Sequence, residues 1–204
     1  MSNKIILTFV GLVLSVATLS AQSADVWIEA LNKSLGTRYT MGAVVEVGSD
    51  EGIAEELNGI FMVDGDGYYL SLGLMEVYSD GKLRYEVNNE RKEVTIDRVD
   101  LTSHDILTNP TNAFSFATEE FHSDIVAENG GEVVISLVPR EDIGITDIEL
   151  TLRRDATGAV RPLAVRYNYD GDIVRVLLSM KSADAELRRW DKSAYRAYDV
   201  VSFL

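Results

Sequence analysis

From Thr37 onward the apolar residues of this chain recur with period two, and they do so over most of its length. A side chain on every second position facing one side is the geometry of a β-strand with one face buried, so the pattern commits the chain to a mainly β (α+β) class. The alternating stretches are residues 37–47, 57–63, 68–72, 75–79, 83–87 and 93–99, followed by 121–128, 132–138, 147–153, 163–169 and 173–180. Gly, Asp and Asn bound them, which suits consecutive antiparallel strands joined by short turns. Ser79-Asp80-Gly81-Lys82 is the sharpest hairpin signal, because Asp-Gly accommodates positive φ angles. About ten or eleven strands in one run predict a single large twisted antiparallel sheet or barrel.

Two stretches interrupt the period. Trp27, Ile28, Leu31 and Leu35 recur at helical spacing behind Asp25, a candidate cap, and Gly36 stands where a helix would end. Residues 101–116 hold a possible helical turn at Ser103–Leu107, stopped by Pro110 and followed by Phe114 and Phe116. The apolar tail from Trp190 to Leu204 is expected to dock on the body of the protein.

The first 24 residues read as a cleavable export signal, with Lys4 at the start, an apolar run over 5–19, and the small-residue region Ser20-Ala21-Gln22-Ser23-Ala24. Cleavage is expected after Ala21 or Ala24. The run is too short to span a bilayer, which takes about 20 residues. The remaining 25–204 suit one domain, expected to be soluble and monomeric. That part holds all 33 acidic residues against 18 Lys and Arg (the chain's 19 less Lys4), a net charge of −15. Such a surface repels phosphate backbones, which argues against nucleic-acid binding. With no cysteine in the chain, disulfides, thiol catalysis, cysteine-bound zinc and a cysteine-linked lipid anchor are all excluded.

Gly59-Ile60-Phe61-Met62-Val63, Tyr68-Tyr69-Leu70, Val77 to Lys82, Tyr85 to Asn88 and Glu93 to Ile96, taken in order, resemble the LolA family of outer-membrane lipoprotein carriers, especially its divergent Bacteroidetes-type members. Asp191 to Val201 resembles that family's C-terminal segment. The resemblance implies an incomplete antiparallel barrel around an apolar cavity, with short helices as a lid. It implies a periplasmic carrier that shields the acyl chains of lipoproteins on their way to the outer membrane, without cofactor or catalytic step. Its partners would be acylated lipoproteins, an inner-membrane release machinery and an outer-membrane acceptor. By the alternation, Phe61, Val63, Tyr68, Leu70, Leu72, Val77, Tyr85, Val87, Val94 and Ile96 would line the cavity from the first half of the sheet, and Ile148, Leu150, Leu152, Val165, Tyr167, Val176 and Leu178 from the second. Ile106, Leu107, Phe114 and Phe116 would belong to the lid. Well-studied members carry an arginine after the strand matching residues 59–63, where this chain has Asp64-Gly65-Asp66-Gly67. That acidic turn also lacks the cysteine anchor and apolar loop of the related acceptors, which favours a soluble carrier.

Catalytic motifs are weak by comparison. Ser103-His104-Asp105 contains the residue types of a hydrolase triad, but sequence neighbours rarely face one another. Asp64-Gly65-Asp66-Gly67 and Asn168 to Asp172 resemble the start of a calcium loop, yet the position that needs a bidentate Glu is Met75, so hairpin turns are expected instead. Glu55-Glu56 and Glu119-Glu120 are adjacent pairs that a strand would point to opposite sides. No catalytic residue, metal site or cofactor is expected. The alternatives to a carrier are a lipid-sensing regulatory domain of the same shape and, behind it, an enzyme acting on a lipid or glycan.

Overall fold

The computed structural model describes residues 23–49, 51–100, 110–112, 114, 117, 120–141, 144–182 and 185–204. The N-terminal amphipathic stretch forms helix α1, Ala24–Leu35. Its buried stripe is Trp27, Ile28, Leu31 and Leu35, with Asp25 in the first turn and Lys33 in the last, each at the end where the helix dipole favours it. The N-cap is Ser23, not Asp25. Gly36, at φ 62°, donates its N–H to the Asn32 carbonyl at 3.1 Å and ends the helix.

All eleven expected strands are present: β1 Arg38–Ser49, β2 Gly52–Asp64, β3 Gly67–Leu72, β4 Met75–Ser79, β5 Leu83–Asn88, β6 Glu93–Arg98, β7 Phe121–Asn129, β8 Glu132–Pro139, β9 Ile145–Arg154, β10 Val160–Tyr169 and β11 Asp172–Met180. A twelfth, β12 (Asp199–Ser202), comes from the tail. They make one sheet in the order β12-β6-β5-β4-β3-β2-β1-β11-β10-β9-β8-β7. Every neighbouring pair is antiparallel except β12 with β6, where Val200 lies opposite Val94. Among the described residues the sheet ends at β12 on one side and β7 on the other, and it does not close into a barrel.

Laid flat, twelve strands would span about 50 Å. A single buried cluster nevertheless contains residues from β1 to β4 and β7 to β11 together with α1, so the sheet curls around that cluster. The inner face is thus concave. On the opposite, convex face a second cluster joins Met62, Tyr69, Tyr78, Val87 and Val94 to Leu187, with Trp190, Tyr195 and Tyr198 packed against it. The expected docking of the tail is therefore observed.

The register corrects one expectation. Ser79 pairs with Arg84 and Tyr78 with Tyr85, so odd positions of β4 share a face with even positions of β5. Val77 is concave and its partner is Glu86, whereas Tyr85 and Val87 lie on the convex face with their β6 partners Ile96 and Val94. These four residues pack under the tail instead of lining the inner face. Alternation identifies an apolar face; it does not say which side of the sheet that face takes.

Candidate functional site

The concave face is built from rows of cross-strand partners. One runs Ile135–Leu150–Val165–Val176–Val45–Leu57 across six adjacent strands, β8 to β2. Another runs Met41–Phe61–Leu70–Val77 across β1 to β4. Partners in a row lie about 5 Å apart, so each row is a continuous apolar strip. Of the residues expected to line a cavity, Phe61, Val63, Tyr68, Leu70, Leu72, Val77, Ile148, Leu150, Leu152, Val176 and Leu178 are buried in this one cluster, and Val165 and Tyr167 are half-buried against it. Tyr85 and Val87 are excluded by the register described above. Phe114 is buried in the same cluster, whereas Ile106, Leu107 and Phe116 lie outside the described residues. The same alternation would also have found Tyr39, Met41, Ala43 and Val45 on β1 and Val133, Ile135 and Leu137 on β8, which complete the face.

Polar contacts fix what covers this face. α1 packs against β10 and β7. Its Ser34 Oγ accepts the Val160 N–H at 3.0 Å, and Asp25 Oδ1 accepts the Ser123 hydroxyl at 2.8 Å, tying the helix to those two strands. The Asn32 side chain donates to the Phe114 carbonyl at 3.2 Å. Residues 110–112 form a 3-10 turn against β2 and β3, where the Tyr39 hydroxyl donates to the Pro110 carbonyl at 2.6 Å. Burial pushes the Tyr39 hydroxyl far above the usual tyrosine range, so it stays protonated and keeps donating.

Burial is uneven along the strands. Val160, Leu152, Phe61 and Tyr68, near the end covered by α1 and the 110–112 turn, are fully shielded. At the other end Val47, Leu57, Met75, Ile145 and Tyr167 are only partly buried. That end is the accessible margin of the apolar face.

On the convex face, Glu76 anchors the tail. Its Oε1 accepts from the hydroxyls of Tyr69 (2.9 Å) and Tyr78 (3.3 Å), and its Oε2 accepts from Asn89 Nδ2 (3.1 Å) and the Tyr195 hydroxyl (2.9 Å). Burial alone would raise the Glu76 carboxyl, but hydrogen bonds from Asn89, Tyr69, Tyr195 and Tyr78 outweigh it and hold the group below its ordinary range. Trp190 is stacked between Tyr85 (4.7 Å) and Tyr195 (5.0 Å). A cleft of about 430 Å³ lies between these rings and β6.

Both acidic Gly turns are tight hairpins, as expected: Asp64 pairs with Gly67, and Tyr169 with Asp172. Asp170 and Gly171 both take positive φ, 51° and 91°, as a twist-matched two-residue turn requires. Among the described residues no group of three or more His, Asp or Glu is placed to hold a metal. His122 is exposed on β7, its Nε2 3.3 Å from Arg140 Nη1, and His104 lies outside the described residues.

No protein-family model matches the chain, and no curated protein matches it in sequence. Solved structures do match in shape. An uncharacterized conserved protein from Thermus thermophilus aligns at TM-score 0.50 and 13% identity, over 88% of this chain and 98% of that one. LprF from Mycobacterium bovis aligns at 0.46 and 12%, over 80% and 94%, and a LolA superfamily protein from Nitrosomonas europaea at 0.40 and 10%, over 86% and 98%. At these identities the likeness is one of fold alone. That fold is one large, almost wholly antiparallel sheet, left open, around an apolar core.

Proposed function

We propose that this protein is an exported carrier that shelters the acyl chains of lipoproteins against its concave face and hands them toward the outer membrane through the periplasm. The observation that carries the reading is the apolar strip of cross-strand partners from Ile135 to Leu57, which reaches a margin where Val47, Leu57, Met75, Ile145 and Tyr167 are partly open. The ordered sequence resemblance to lipoprotein carriers supports the same reading. Each acyl methylene removed from water gains about 0.8 kcal/mol, so a wide apolar surface can hold cargo without directional chemistry. Trp27, Ile28 and Leu31 of α1 already cover part of that surface. Cargo exchanges with these contacts, so loading changes little for the protein, and the gain is the cargo's own exit from water.

The experiment is a photo-crosslinker at Tyr167, at the open margin, in cells that export the protein, with native mass spectrometry of the purified protein alongside. Capture of acylated proteins, or co-purifying acyl chains, is the expected result. Capture of neither from Tyr167, with an empty mass spectrum, overturns the carrier reading. A stable complex with a membrane signalling protein in place of lipoproteins would favour the lipid-sensing alternative.

A further inference from the structure

Among the described residues β12 is paired on one side only. Toward β6, the Asp199 N–H reaches the Lys92 carbonyl and the Phe203 N–H the Ile96 carbonyl, both at 2.9 Å. Successive residues of a strand turn their amides to alternate sides, so those of Val200 and Ser202 point away from β6, along the outer edge. Edges are ordinarily blunted by lysine, proline or a bulge. β12 has none of these, and Val200, Val201, Phe203 and Leu204 are exposed.

The two faces of β12 differ in charge. Val200 lies opposite Val94 on the convex side, where it borders the cleft of about 430 Å³ walled by Trp190, Tyr195 and Tyr198. Lys192 and Arg196 line the same cleft. The chain as a whole has a net charge of −14, yet over residues 188–198 Arg188, Arg189, Lys192 and Arg196 stand against Asp191 alone, a local charge of +3. Arg188 donates to the Tyr69 hydroxyl at 3.1 Å, and Asp191 accepts from the Ser193 N–H and hydroxyl, each at 2.8 Å. Lys192 and Arg196 form no ion pair among the described residues. Apolar walls keep water from one side of such cations and strengthen an ion pair made there. On the concave side, by contrast, Asp199 lies opposite Glu93 and Val201 opposite Thr95, so that side repels acid and offers apolar contact.

We propose that β12 and the cleft form a docking site for an extended segment of a partner protein, added to the sheet as a further strand, with acidic side chains toward Lys192 and Arg196 and apolar ones toward Val201. Main-chain bonds to Val200 and Ser202 supply affinity, and the alternation of acidic with apolar side chains supplies specificity. A second copy of this chain is a poorer occupant, because it brings its own Lys192 and Arg196 to the seam and each copy carries −14. The cleft lies on the face opposite the proposed acyl-chain surface, so the site does not depend on the carrier reading.

The test is fluorescence anisotropy of a labelled synthetic peptide in which Glu and Val alternate, titrated with the purified protein, against the same peptide with Lys in place of Glu. Wild type should bind the Glu peptide about tenfold more tightly, the scale of two exposed ion pairs made in one peptide and opposed in the other, and salt should narrow the gap. Lys192→Gln combined with Arg196→Gln should erase the preference. Ser202→Pro removes an outward N–H and none of the bonds to β6, so it should weaken the Glu peptide about tenfold while the Trp190 unfolding transition stays in place. N-methylation of the peptide's alternate amides, which leaves the protein untouched, should do the same. Equal affinities for the two peptides, no binding of either, or binding that survives N-methylation overturns the site. Binding to phosphatidylglycerol vesicles without binding to the peptide would make the patch a membrane contact, and concentration-dependent dimerisation without peptide binding would make it a contact between copies; either result also overturns it.

Discussion

Replacing Glu76 by glutamine should loosen the tail while leaving the main core in place. The carboxylate accepts four hydrogen bonds, from Tyr69, Tyr78, Asn89 and Tyr195. Glutamine retains one acceptor oxygen and puts an NH₂ in the place of Oε2, so the bonds donated there by Asn89 and the Tyr195 hydroxyl are lost and those to the remaining oxygen become neutral. A hydrogen bond to a charged group contributes about 1.5–3 kcal/mol and a neutral one about 0.5–1.5. Glu76 is half-buried, which places the sum at the lower end of that arithmetic, about 2 kcal/mol. The chain's two tryptophans provide the assay, since Trp27 sits in the concave cluster and Trp190 in the convex one. In backgrounds carrying only one of them, urea unfolding followed by fluorescence should show the Trp190 transition moving down by about 1 M, for a slope of about 2 kcal/mol/M. The Trp27 transition should move less. The pH dependence has a definite sign. The folded carboxyl lies below its ordinary value of 4.5, so its stabilisation is present above that pH and lost as the pH falls through the folded value. The gap between wild type and variant should close on acidification. A shift below about 0.3 kcal/mol at neutral pH, or a gap that widens in acid, would refute the reasoning.

Two further outcomes are expected. Leu152→Ala empties a fully buried position between its partners Val133 and Pro162 and should cost about 3–4 kcal/mol in the same unfolding assay, whereas a cost under about 1 kcal/mol would remove Leu152 from the core. On the proposed export reading the mature chain should begin at Gln22, because cutting after Ala24 would discard a buried helix residue and the Ser23 carbonyl that accepts the Val26 N–H at 3.1 Å; an intact mass that begins at Asp25, or one that retains residues 1–21, would contradict this.

The strands were legible because each is specified by neighbours a few residues apart. Ile148, Leu150 and Leu152 alternate with Asp147, Glu149 and Thr151, and no tertiary contact is needed to read an edge-on apolar stripe there. The helix was legible for the same reason at period 3.6. β12 was not, since Asp199-Val200-Val201-Ser202 has no alternation and becomes a strand only by lying parallel to β6. The facing of Tyr85 and Val87 was half legible. Val77 and Tyr78 are adjacent and both apolar, which signals that β4 is covered on both sides, but the covering layer lies more than a hundred residues away at Leu187 to Tyr198.

Local periodicity and turn chemistry thus determined by themselves the first eleven strands, where the chain reverses between them and that a large apolar face exists. Tertiary structure decided which side of each strand that face takes, how far the sheet curls, and where the apolar face gives way to Arg84 and Glu86. The reason is that a strand's period specifies two faces without ranking them. The ranking comes from pairings such as Met41 with Met180 and Val94 with Val200, whose members are remote in the chain and meet only when the sheet is assembled.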